Sequence, residues 1–165
     1  MLSNFRIVRL LLLFIIALFI SCLRSPKVDS LPRIKISYFK GIIERPIRTI
    51  CGEISGIPPM EYKVDTLIVD NKLIEEICKC ISHLRVKKNF ESCDVRIDCF
   101  ILQKPDTIKL CIGEFDCIVK DGVSMERNDT LLYLIRKNSG YYNYFKKDQF
   151  KYFEELKYFN PEFLK

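Results

Sequence analysis

The chain has 165 residues, 48% of them hydrophobic and 29% charged, with a formal net charge of +6. That balance excludes wholesale disorder and collagen-like or polyproline chains, and the length suits one domain rather than two. One His, six Gly and no Trp leave little material for histidine-rich metal sites or Gly-rich phosphate loops.

Residues 1–22 read MLSNFRIVRLLLLFIIALFISC. Arg6 and Arg9 form a basic start, and Leu10 to Ile20 is an unbroken apolar run. A run of eleven residues is too short to cross a hydrocarbon core of ~30 Å, which needs roughly 20 helical residues, but it suits the apolar region of a signal peptide. Phe19-Ile20-Ser21-Cys22 resembles the lipobox of Gram-negative bacterial lipoproteins: an apolar residue, two positions ending in a small residue, then Cys. The commonest residues of that pattern are Leu and a small residue where this chain has Phe19 and Ile20. The resemblance covers the export segment alone. It implies that residues 1–21 are a cleaved signal peptide and that Cys22 carries a diacylglycerol and an N-acyl lipid, palmitate among the acyl groups. An uncleaved anchor helix, and ordinary secretion with Cys22 as a disulfide partner, are the alternatives.

Residues 22–32 contain Pro26 and Pro32 and no apolar period, and read as a tether ahead of a single domain over 33–165. Ile34 to Phe39 alternates as a strand, a short strand is expected near Arg48–Cys51, and Tyr62 to Val69 has strand composition. Asp70 or Asn71 then caps a helix whose apolar face is Leu73, Ile74, Ile77, Ile81 and Leu84. In the next strand Cys93, Val95, Ile97, Cys99 and Ile101 fall on one face and Asp94, Arg96 and Asp98 on the other. Pro105-Asp106 turns the chain, Ile108, Leu110 and Ile112 mark another strand, and Phe115, Cys117 and Val119 a third. Asp121-Gly122 is a hairpin signal, followed by a stub at Val123–Met125. Asn128 or Asp129 caps a second helix through Leu131, Leu132, Leu134 and Ile135, ending near Gly140. A third helix is expected over 147–158. The order implies an α+β fold, an antiparallel sheet with a meander over about residues 93–125 and helices on one face.

The cysteines constrain the register. Aligning the apolar faces of the two strands around Pro105-Asp106 requires paired numbers with an odd sum, so Cys99 does not face Cys111. Cys99 and Cys117 are expected in the core as small hydrophobes, with Cys111 on the polar face beside Lys109. With Cys22 lipidated an odd number of thiols remains, and sequence alone leaves their pairing open. Cys78 and Cys80 lie about 200° apart on a helix, and Cys80 with His83 gives two ligands, not four, so no metal site is expected. Asp94 and Asp98 share a strand face with Arg96 between them and read as ion-paired surface.

Basic residues are scattered (Arg33, Lys35, Lys87, Lys88, Lys146, Lys147), and no nucleic-acid partner is expected. The tripeptides at Ser30, Thr66, Thr107 and Thr130, each Asp-Ser/Thr-apolar, resemble the O-glycosylation acceptor of certain Gram-negative gut bacteria. The tail from Tyr141 holds ten aromatics, and either packs over the sheet or offers Tyr141, Tyr142, Tyr144 and Phe145 as an interaction patch. With no hydrolase elbow and one imidazole, the expectation is a non-enzymatic, lipid-anchored envelope protein without a cofactor beyond its lipid. Its expected place is the periplasmic face of the outer membrane, and its expected partners are that membrane and an envelope protein. The rival reading is a periplasmic enzyme using thiol or carboxylate chemistry.

Overall fold

The computed structural model describes residues 31–42, 48–89, 92–103 and 105–164. The expected signal peptide, Cys22 and Ser30 lie outside the described residues, and so does most of the tether. The domain is α+β. Six strands, β1 (Arg33–Phe39), β2 (Lys63–Ile68), β3 (Val95–Leu102), β4 (Thr107–Gly113), β5 (Ile118–Lys120) and β6 (Val123–Met125), form one antiparallel sheet in the order β2-β1-β3-β4-β5-β6. Two helices, α2 (Asn71–Ser82) and α3 (Asp129–Ser139), bury the face built by Ile34, Ile36, Tyr38, Ile97, Cys99, Ile101, Leu110, Ile112 and Ile118.

Local chemistry explains the helix ends. The Asp70 carboxylate accepts from the backbone N–H of Lys72 and Leu73, and Asn128 Oδ1 accepts from the N–H of Leu131 at 2.9 Å. Gly140 closes α3 at φ 78°, a left-handed cap that a Cβ would strain. Asp121 and Gly122, both at positive φ, make the two-residue turn between β5 and β6. The Tyr38 hydroxyl donates to Ser139 O at 2.9 Å, fastening β1 to the end of α3.

The β3–β4 register pairs Cys99 with Leu110 and Asp98 with Cys111, an odd sum, so the face assignment holds over that stretch. It fails at the start of β3. The register shifts between Val95 and Ile97, a β-bulge, and the extra residue reverses the alternation. Val95 and Cys93 therefore belong to a second cluster with Phe39, Ile54, Cys111, Cys117 and Val119, on the sheet face opposite the two long helices. That face is not simply polar. A one-turn helix, α1 (Glu53–Gly56), and its loop cover part of it and bury Cys111 completely.

Two disulfides fix this cover: Cys51–Cys111 and Cys93–Cys117. Cys117 is thus a bridge partner, not a free core thiol, whereas Cys99 is free and fully buried. The Arg48–Cys51 strand does not form. Thr49 O instead receives the Val95 N–H at 2.9 Å, and the Thr49 N–H goes to Asp94 Oδ1 at 3.0 Å. The expected helix over 147–158 is replaced by a 3₁₀ turn at Lys147–Tyr152 and a short helix, α4 (Leu156–Phe159). No described helix is long and apolar enough to cross a membrane.

Candidate functional site

Beside the bulge, the β4–β5 turn and β6 enclose a cleft of about 280 Å³ whose wall includes Lys87, Asp94, Glu114, Asp116, Ser124 and Arg127. The bulge aims Arg96 at this region. Arg96 Nη2 lies 2.8 Å from Asp94 Oδ2 and 3.9 Å from Glu114 Oε2, and the Arg96 side chain is 7% exposed. Around the cleft, Glu114 Oε1, Ser124 Oγ, Arg96 Nε and Arg96 Nη1 are buried without a protein hydrogen-bond partner. Buried polar atoms are nearly always satisfied in native proteins, so this group calls for water or a bound polar molecule.

Burial pushes the Glu114 carboxyl above its usual value. The nearby Arg96 pulls it down, Asp94 raises it further, and Arg136 lowers it. A raised carboxyl holds its proton in the folded state where the unfolded chain has lost it. Its stabilising contribution is therefore complete below the ordinary value of 4.5 and fades as pH rises through the raised folded value. Glu114→Gln, which cannot ionise, is expected to flatten that part of the stability profile. Urea unfolding of both proteins across acidic to neutral pH checks it, and parallel profiles contradict the assignment.

Behind the cleft stands a buried ionic layer. Arg136 of α3 pairs with Glu155 Oε1, and neither residue has any solvent exposure. Arg136 Nη2 also donates to the carbonyls of Gly113, Glu114 and Phe115 at 3.1, 3.0 and 2.8 Å, holding the β4–β5 turn that carries Glu114. The Tyr142 hydroxyl donates to Glu155 Oε1 at 2.8 Å, and Arg127 reaches Asp129 at 2.5 Å and Glu155 at 3.2 Å. The cleft wall is in this way bolted to α3 and the C-terminal segment.

The residues singled out from sequence fall elsewhere. Tyr141, Tyr142 and Phe145 are buried, and of the four only Tyr144 is exposed. This corrects the interaction-patch expectation: the 3₁₀ turn at Tyr141–Tyr144 and the residues after it fold these rings against Phe153, whose centroid lies 4.8 Å from that of Phe145 and 5.4 Å from that of Tyr142. Thr107 is exposed at the start of β4, whereas Thr66 and Thr130 are half-buried. Asp94 and Asp98 are not a pair at one site. Asp98, fully buried, accepts from the N–H of Gly52 at 2.8 Å and of Ser55 at 3.0 Å, holding α1 to the sheet.

The thiols are poor nucleophiles. Burial pushes those of Cys78, Cys80 and Cys99 upward, so they stay protonated. Cys51, Asp98 and Cys111 bring three ligand atoms within 4.8 Å of one another, but the two sulfurs are bonded to each other and have no thiolate to offer a metal.

Sequence reasoning missed Glu114 and the Arg136–Glu155 pair. A signal for Arg136 exists: Leu132, Ile135, Arg136 and Ser139 are spaced i, i+3, i+4, i+7, so the charge lies on the buried stripe of α3. Comparison with family models, with curated proteins and with solved structures found no match to this chain.

Proposed function

We propose that this chain is an exported, lipid-anchored protein of the bacterial cell envelope whose domain is a non-catalytic binding module working through the cleft beside Glu114. The observation that carries the binding role is the set of buried, unpartnered polar atoms, Glu114 Oε1 and Ser124 Oγ foremost, around a cavity with rigid walls. A cavity near 280 Å³ suits a small polar group, either free or presented by an envelope partner. Export rests on the residue pattern of 1–22, and the two disulfides agree with an oxidising compartment. The anchor places the domain at the periplasmic face of the outer membrane.

Metabolic labelling with a palmitate analogue tests the address. The wild-type chain is expected to take up label at Cys22 and to lose residues 1–21, and Cys22→Ser to do neither. Retention of both by the variant overturns the anchor. For the binding role, detergent extracts are compared between wild type and a Glu114→Gln, Ser124→Ala double variant. Loss of one stoichiometric companion from the double variant supports the module.

A second reading is favoured by one observation: Glu114 lines a cleft and burial raises its carboxyl above the usual value, the direction a general acid needs. On that reading the domain is a periplasmic enzyme with carboxylate chemistry. Substrate turnover by the delipidated protein, lost in Glu114→Gln, would establish it over the binding role.

A further inference from the structure

The two faces of the sheet are covered unequally. Among the described residues, the helical face is packed throughout, and the opposite face is covered only where α1, its loop and the two disulfides sit. Toward the start of β1, two cross-strand rows lie beyond that cover. One runs Leu67–Lys35–Phe100 and meets the cover at Lys109, whose Nζ donates to Cys51 O at 2.8 Å, and the next runs Arg33–Leu102–Thr107. Leu67 is 53% exposed, and Val69, which follows β2 with the same alternation, is 64% exposed. A groove passes between these strands and Pro58-Pro59, lined by Lys35, Leu67, Phe100 and Leu102. Neither row contains an acid; Asp121 adjoins the Lys109 end, where its Oδ1 accepts the Lys109 N–H at 2.9 Å, and Asp65 in the following row is occupied by Ser37 and Lys63. The result is an apolar surface studded with positive charge, the composition of elements that lie on anionic bilayers.

Its position in the chain selects the occupant. Arg33 and Lys35 are in the first turns of chain after residue 32, and Leu31 just before them is 65% exposed. Eleven residues separate this strand from the signal-peptide boundary, a reach of about 35 Å at full extension. A lipid at Cys22 would hold this end of the sheet at high effective concentration over the headgroups. We infer that the open face formed by Arg33, Lys35, Leu67, Val69, Phe100 and Leu102 is a membrane-apposition surface resting on anionic phospholipid. The inference builds on the lipid-anchor reading. The cationic side chains meet lipid phosphates, the apolar ones enter the interfacial region, and the cleft beside Glu114 stays open to the aqueous side.

Full-length protein purified from the envelope is reconstituted in phosphatidylethanolamine vesicles, with and without phosphatidylglycerol bearing a photoactivatable headgroup. Crosslinks are expected in the peptides holding Lys35, Leu67 and Leu102, and not in those holding Glu75 and Glu76 of α2. The Lys35→Glu, Leu67→Asp double variant, altered only at exposed positions and checked for an unchanged melting temperature, is expected to lower the yield about tenfold. Raised salt is expected to lower it as well. Crosslinks spread evenly over the domain, a yield indifferent to the double variant, or a copurified protein covering these peptides in place of lipid would each overturn the inference. The mass of the N-terminal peptide in the same sample reports the anchor independently. A lipidated Cys22 without crosslinks sinks the surface and spares the anchor, and crosslinks on a chain with an unmodified Cys22 do the reverse.

Discussion

Arg136→Ala is expected to lower the unfolding free energy by about 3–5 kcal/mol, a large share of the roughly 5–15 kcal/mol available to a domain. The reason is what remains behind. Glu155 has no solvent exposure, and without the guanidinium its Oε1 keeps only the Tyr142 hydroxyl. Among the described residues Arg127, 3.2 Å from Glu155 Oε2, is the one other cation in contact with it. The carbonyls of Gly113, Glu114 and Phe115 lose their shared donor at the same time. Packing is lost too, since the guanidinium lies 5.1 Å from the centroid of Phe153 and 5.8 Å from that of Tyr141. Arg136→Met with Glu155→Leu removes both charges and is expected to recover part of the loss, because an apolar pair leaves no buried ion. Recovery stays partial, for the three carbonyls and the Tyr142 hydroxyl still lack partners. Urea unfolding midpoints at an unchanged slope measure the series. A single-variant cost below about 1 kcal/mol would show that the pair is solvated in the native protein.

The Arg136 layer also shows where sequence reading stops. Elements whose residues repeat with a clear period, or carry a cap or turn residue, were legible: the alternation of β1, β3 and β4, the capping side chains Asp70 and Asn128, the Asp121-Gly122 turn and the Gly140 stop. So was the Cys99–Leu110 register, because one slip would turn a whole apolar face to water. The bulge between Val95 and Ile97 was not legible, since Cys93 and Val95 continue the alternation in print and only the partner strand reveals the extra residue. That one residue moves Cys93 next to Cys117 and gives Arg96 its place beside Glu114. Segment 48–60 and the tail have no period to read: tertiary groups, the Asp98 carboxylate for α1 and the Phe153 cluster for Tyr141 to Phe145, decide their form. The candidate site was missed for the same reason, being assembled from a turn, a bulge and a hairpin stub that have no shared motif.

Removing Cys51–Cys111 by a Cys51→Ala, Cys111→Ala double variant is expected to cost about 4 kcal/mol, and the matching Cys93, Cys117 variant about 3 kcal/mol. The bridges close separations of 60 and 24 residues, and the entropy withheld from the unfolded chain grows with the logarithm of the loop. Native contacts modify the ledger in opposite directions. Without the first bridge, α1 is still held by Asp98 through the Gly52 and Ser55 N–H groups and by Lys109 Nζ on Cys51 O at 2.8 Å, so segment 48–60 remains docked, though less protected. Without the second, the segment before β3 keeps the Thr49–Asp94 and Val95–Thr49 hydrogen bonds, and the β4–β5 turn keeps its Gly113 N–H to Cys117 O bond and the Arg136 donations but loses its covalent tie to that segment. Hydrogen exchange is therefore expected to rise in 48–60 for the first variant and in 113–117 for the second, with α2 and α3 unchanged in both. The cleft is lined by Cys117 of the second bridge, so on the binding role proposed above, capture of a companion is expected to fall in the second variant and persist in the first. Denaturant titration gives the two costs, and a Cys93–Cys117 loss exceeding the Cys51–Cys111 loss would mean that native strain or residual unfolded structure, not loop length, governs these bridges.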